Sequence, residues 1–220
     1  RDIREYIANE LQDTYRILQA DDGKEGLALA LKYTPNIIVS DIMMPNMNGI
    51  ALCKAIKSDM NTSHIPVILL TAKDSIQDKE EGYNSGADSY LTKPFSAKLL
   101  RSRINNLLEI QKRLAKRFIA NVPTNKLDEA FLTKLTSLIE NNLEQEKIDI
   151  AFMTDRMNMS YSAFYRKVKA LTELTPNEFV RKIKLRNCAL LLQTGEYNVS
   201  DAAFRTGFNN MPHFRDCFFK

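Results

Sequence analysis

Three side chains of unlike chemistry stand at the ends of short apolar runs. Asp41 follows NIIVS (36–40), Thr71 follows IPVILL (65–70), and Lys93 comes two residues after DSYL (88–91). A carboxylate, a hydroxyl and an ammonium brought into one shallow crevice suit the receipt of a phosphoryl group. The carboxylate would act as nucleophile, and the other two would hold the transferred oxygens. A single Asp at a strand end is more often a helix cap; the company of Thr71 and Lys93 raises Asp41 above that reading.

For these groups to meet, the three runs must lie side by side in one sheet. NIIVS and IPVILL are continuous apolar stretches of the buried-strand type, and DSYL and YRIL (15–18) read as shorter strands. Between them the spacing predicts helices. One spans 2–11, with Ile3, Tyr6, Ile7 and Leu11 on one face; others span 24–32, 50–57 and a polar 76–85, and a last one starts at Ser96. Strands alternating with helices predict a parallel sheet covered on both faces. Ligands of such sheets sit at the carboxyl ends of the strands, where Asp41, Thr71 and Lys93 fall.

The 220 residues allow one or two domains. A hydrophobic content of 44% with 26% charged residues excludes a disordered chain. No apolar run approaches the roughly 18–20 residues of a membrane helix, and the opening RDIREYIANE carries no signal-peptide core. Three cysteines, Cys53, Cys188 and Cys217, are far apart and form no CxxC, which favours a reducing, cytoplasmic setting. The only two histidines, His64 and His213, exclude His-rich metal sites and disfavour a Ser-His-Asp hydrolase. His64 reads as structural. No glycine-rich nucleotide motif supports a kinase. Charge is unevenly spread: residues 1–97 carry a net −4, residues 98–117 a net +6, and residues 156–186 a net +6. An acidic half followed by basic helices points to a second domain that meets a polyanion. On charge alone, solvated basic faces explain the pattern as well.

From residue 98 onward the apolar spacing is helical throughout. A long basic helix covers 98–119, and Asn121-Val-Pro-Thr-Asn125 breaks it. Two helix-turn-helix units follow. The first has a helix over 150–157, Asn158 as a turn residue with positive φ, Ser160 as N-cap and a helix over 161–171. Its inward residues Phe164, Val168 and Leu171 leave Ser162, Tyr165, Arg166 and Lys169 outside, a mixture suited to bases and phosphates. Pro176 opens a long helix closed by Gly195. The second unit runs from Ser200 to Thr206, turns at Gly207-Phe208, and continues from Met211, presenting Met211 and His213.

The first half resembles the receiver domain of two-component response regulators through SDIMMPNMNG (40–49), IPVILLTAKD (65–74) and GADSYLTKPF (86–95), over residues 1–112. The resemblance implies a flavodoxin-like α/β fold. It makes Asp41 the phosphoacceptor, Thr71 the switch hydroxyl, Lys93 the phosphoryl-binding lysine and Tyr90 the switch aromatic. It also implies a cis Lys93–Pro94 bond, space beside the site at Ala72, and Mg²⁺ bound in part by Asp41 and the main-chain carbonyl of Met43. Receivers open with a strand ending in an acidic pair. Here Arg1 already falls within the first helix, and Asp21 and Asp22 follow the YRILQA run. The expectation is a receiver without its first strand, whose Mg²⁺ would keep only Asp41, one carbonyl and water, a weak site.

The second half resembles the AraC-type DNA-binding domain, through 159–192 and, less specifically, 199–218. It implies an all-α double helix-turn-helix over 127–220, joined by a linker at 113–126 and stopping before the family's last helix. Asn158 replaces the usual turn glycine and Ala202 a larger aliphatic. The combined expectation is a transcription regulator, not an enzyme, in which Asp41 takes phosphate from a histidine kinase and a homodimer binds double-stranded DNA. Such a segment also occurs at the cytoplasmic end of membrane-bound hybrid sensor kinases, with the kinase region outside this chain and no membrane contact by the segment itself. The alternative is a protein-interaction module whose receiver no longer takes phosphate.

Overall fold

A computed structural model describes residues 3–72, 85–117, 126–144 and 148–218; side chains of 112–117 are not described. The chain divides into two compact units, 1–117 and 118–220.

The first unit holds α1 (Ile3–Leu11), α2 (Gly23–Tyr33), β1 (Ile38–Asp41), α3 (Gly49–Ser58), β2 (Val67–Thr71), β3 (Ser89–Thr92) and α4 (Ala97–Arg117). The strands form a parallel sheet in the order β1-β2-β3, with Asp41 opposite Leu70 and Thr71 opposite Thr92. All five residues of β2 are buried, as a central strand between two helical layers requires. Its side chains alternate between the layers. Val67 and Leu69 join the α2–α3 side with Ile50, Cys53 and Ile56, whereas Ile68 and Leu70 join the α1–α4 side with Leu11, Leu100 and Ile104. This is a parallel sheet covered by helices on both faces, as the sequence predicts. Each strand ends one residue later than the apolar runs suggest, so Asp41 and Thr71 are the last residues of their strands.

The strand expected at YRIL does not form: residues 15–18 lie outside the sheet. A strand exists only where a ladder partner takes its N–H and C=O groups, and among the described residues β1 pairs with β2 alone. Tyr15 and Ile17 instead pack half-buried on the α1–α4 core, and the Tyr15 hydroxyl donates to Asn105 Oδ1 at 2.7 Å. The helix expected over 76–85 lies outside the described residues, apart from Ser85 in a turn. The break expected at 121–125 also lies outside them.

The second unit is helical: α5 (Lys126–Glu140), α6 (Ile150–Met157), α7 (Tyr161–Thr172), α8 (Pro176–Gln193), α9 (Val199–Arg205) and α10 (Met211–Phe218). It has two apolar cores. Phe131, Leu135, Met153, Phe164, Val168 and Ile183 build the first, and Cys188, Ala202, Ala203, Phe208 and Phe214 the second. α8 contributes to both, so it is the shared spine of two small helix pairs. Its start is fixed by a capping box: Glu178 N–H donates to Thr175 Oγ1, and Thr175 N–H to Glu178 Oε2. Hydrogen bonding from Thr175 to the carboxylate, by its backbone N–H first and its side chain second, holds the Glu178 carboxyl below its ordinary pKa.

Candidate functional site

Asp41 closes β1 and its carboxylate forms an ion pair with Lys93, just beyond β3. Both side chains are about a quarter exposed, at 22% and 28%, so the pair is reachable but partly shielded. Lys93 is placed by its own backbone, whose N–H donates to Thr71 O at 2.8 Å. The Lys93–Pro94 bond is cis, as the resemblance implies. Thr71 is 1% exposed, and its Oγ1 is buried with no hydrogen-bond partner among the described residues. Tyr90 is half-buried against the α2–α3 core. Ala72 is exposed and borders an open, mostly apolar cavity of about 380 Å³ with Ile3, Tyr6, Lys93, Pro94 and Phe95.

The loop from Asp41 to Gly49 shapes the rim. Met43 N–H donates to Asp41 Oδ1 at 3.2 Å, while the Met43 side chain is 76% exposed. Two glycines meet the backbone of this loop. A Cβ on Gly49 would lie 2.2 Å from Asp41 O, and one on Gly23 would lie 2.4 Å from Met47 O. Sequence reasoning missed a third brace. Asp22 caps α2 by accepting from Lys24 N–H and Glu25 N–H, and its other oxygen accepts from Asn46 Nδ2 at 2.5 Å. These bonds, with the Glu25 N–H largest, hold the Asp22 carboxyl below the usual carboxylate range. Asn46 has φ +60°, a value Asn tolerates. The DG and PN pairs were the available signal.

The cation ligands that the resemblance implies, the Asp41 carboxylate and the Met43 carbonyl, belong to residues two apart at the end of β1. No group of three or more His, Cys, Asp or Glu that could hold a metal exists among the described residues. A hard cation held there would take much of its shell from water.

In the second unit, Asp149 caps α6 through Phe152 N–H and Asn158 ends it at φ +52°, as the turn requires. Ser160 then caps α7 through Ala163 N–H at 3.3 Å. Ser162, Arg166 and Lys169 are exposed and Tyr165 is half-buried, all on α7. Tyr161, expected only as the first residue of its helix, is 60% exposed and stacks on Tyr165 with centroids 6.2 Å apart. Lys169 Nζ donates to Glu173 O, which fixes it at the carboxyl end of α7. On α10, His213 is exposed, whereas Met211 is half-buried against the second core. Lys167, counted in the basic run, is not on the surface: it is fully buried and paired with Asp128. Lys184 is half-buried, and burial pushes its pKa down.

Residues 1–105 match the family described as response regulator receiver domain, and residues 153–220 match a helix-turn-helix domain. Histidine kinase P4 of Formosa agariphila is 40% identical over 225 residues, covering 99% of this chain and 16% of that protein. The DNA-binding dual master transcriptional regulator RpaA of Synechocystis is 43% identical over 100 residues, covering 46% of this chain and 42% of its own. The chain thus spans less than half the length of either relative. The receiver domain of the Francisella response regulator 1452 is 43% identical, with a TM-score of 0.43 over 48% of this chain and 86% of that one. No helix among the described residues is long and apolar enough to cross a membrane.

Proposed function

Residues 1–105 are a response regulator receiver domain and residues 153–220 an AraC-type helix-turn-helix domain, and from that premise we propose a phosphorylation-controlled, DNA-binding transcription regulator of a two-component system. The observation that carries the reading is the Asp41–Lys93 ion pair at the carboxyl end of a parallel sheet, with the buried Thr71 hydroxyl one strand away.

The donor is a histidine kinase, separate or in the same parent chain, with its phosphoryl group on an imidazole nitrogen. An Asp41 oxygen attacks phosphorus. The N–P bond breaks as the O–P bond forms, and the departing imidazole takes a proton from water. Asp41 becomes an acyl phosphate, with more negative charge than the carboxylate it replaces. The Lys93 ammonium follows that charge onto the transferred oxygens. The Thr71 hydroxyl can donate to them without giving up a described partner. Tyr90 adjusts with Thr71, and the altered receiver surface promotes a homodimer on double-stranded DNA. There Ser162, Tyr165, Arg166 and Lys169 of α7 read one stretch, and His213 with Met211 at the start of α10 reads another. The chain receives and reads; the kinase step belongs to the donor.

Labelling of the natural protein with radioactive acetyl phosphate tests the acceptor. Asp41→Asn should abolish the label, and full labelling of that variant overturns the assignment. A gel-shift titration with genomic duplex tests the other half, since a module that only docks proteins would not bind it.

A further inference from the structure

Lys167 follows Arg166 on α7 but faces the other way. Its side chain is fully buried, and its Nζ donates at 2.6 Å to Oδ1 of Asp128, which lies in the first turn of α5 and is 2% exposed. The same ammonium sits 5.1 Å from the ring centroid of Phe131, one turn along α5. Phe131 in turn meets Phe164, one turn back on α7, edge to face with centroids 6.2 Å apart. Two points on one helix therefore meet two points on the other, three residues apart on each.

The two contacts constrain different things. Ring against ring is apolar and tolerates a small slide or roll. The ion pair does not, because an ammonium that leaves its carboxylate is stranded in a dry interior. Such a pair is a poor stabiliser, since desolvation offsets most of its attraction, and apolar pairs of similar volume are often as stable. What a buried polar contact does fix is registry.

We propose that Asp128 and Lys167 are positioning residues for DNA reading, setting the rotation and register of α7 on α5 so that Ser162, Arg166 and Lys169 face outward together. The proposal rests on the reading of α7 as a DNA-recognition helix. Attraction to phosphates survives a small roll of that helix, whereas hydrogen bonds to base edges do not. Loss of the pair should therefore reduce discrimination between sequences and leave general attraction to DNA intact.

The test uses the full chain. A duplex is selected from a random pool by the wild type, and a scrambled duplex of the same composition serves as reference. Two double variants are compared. Asp128→Leu/Lys167→Met removes the pair. Asp128→Gln/Lys167→Gln lengthens one side chain by an atom and shortens the other, so a neutral hydrogen bond can take its place. Both should fold with melting temperatures near wild type. The apolar variant should lose about tenfold or more in the ratio of selected to scrambled affinity, with scrambled affinity and salt dependence unchanged. The amide variant should keep most of the ratio. An apolar variant that folds and discriminates like wild type overturns the proposal. So does one that fails to fold, because the pair then serves stability, and so does an amide variant that loses as much as the apolar one. A wild type that enriches no duplex overturns the DNA reading itself, before any variant is compared.

Discussion

Arg166 and Lys167 are sequence neighbours with opposite fates, one exposed and one buried. Removing an exposed base contact typically costs about 1–3 kcal/mol of binding. Arg166→Ala should show a loss of that size in titrations against a selected duplex. Glu173→Gly should leave binding unchanged, because Glu173 sits at the end of α7 with φ +59°, a conformation glycine adopts freely; it should instead raise the melting temperature of the second unit. Asp41 and Lys93 were legible because strand ends can be read from apolar runs. Lys167 was not, since a charge count cannot see a partner 39 residues upstream. Asp128 itself looks like an ordinary acid in a first helical turn, where the helix dipole already favours it.

At the scale of elements, the braced loop between β1 and α3 makes a sharper demand than any single side chain. Gly49→Ala would drive a methyl group to 2.2 Å from Asp41 O, so it should destabilise the first unit by about 1–3 kcal/mol and slow labelling by moving Asp41. Gly26→Ala, inside α2 with its nearest neighbour at 3.4 Å, should be neutral or stabilising by up to about 1 kcal/mol. Urea unfolding of the two variants separates them, and equal effects would remove the steric argument. Helix punctuation was the most legible layer: Asn158, Ser160, Pro176 and Gly207 each sit at the turn or cap the sequence suggests. YRIL was misread because strand propensity is local whereas a ladder needs a neighbour. The packing of Met211 on the second core was likewise invisible, since an amphipathic pattern this short fits more than one face.

For the molecule as a whole, the charge at the surface differs from the charge written in the sequence. Lys167 is neutralised by Asp128 and Lys184 is half-buried, with its Nζ donating to Gly207 O at 3.1 Å. Among the described side chains of 156–186, the remaining surface cations include Arg166 and Lys169 on α7. Phosphate neutralisation sets the salt dependence of binding, by close to one counterion for each contact. Replacing Arg166 and Lys169 together should flatten the slope of log affinity against log salt by about one to two. Replacing His213 and Asp216 should leave the slope nearly intact and alter sequence preference modestly. A larger loss of slope in the second variant would make the second helix-turn-helix unit, rather than the first, the main phosphate contact. The change of charge sign at residue 98 falls at the start of α4, inside the first unit, so the sign of the charge does not mark the division into two units; how much of the charge reaches the surface depends on pairs that only the fold brings together.

The stacked Tyr161 and Tyr165 have a practical consequence. The chain contains no tryptophan, so its ultraviolet emission comes from tyrosine alone. Tyr161→Trp would place a single indole at the exposed start of α7, beside an aromatic ring that already offers it a stacking partner. Its wavelength and quenching would then report what happens at that one helix, without a dye and without signal from the first unit.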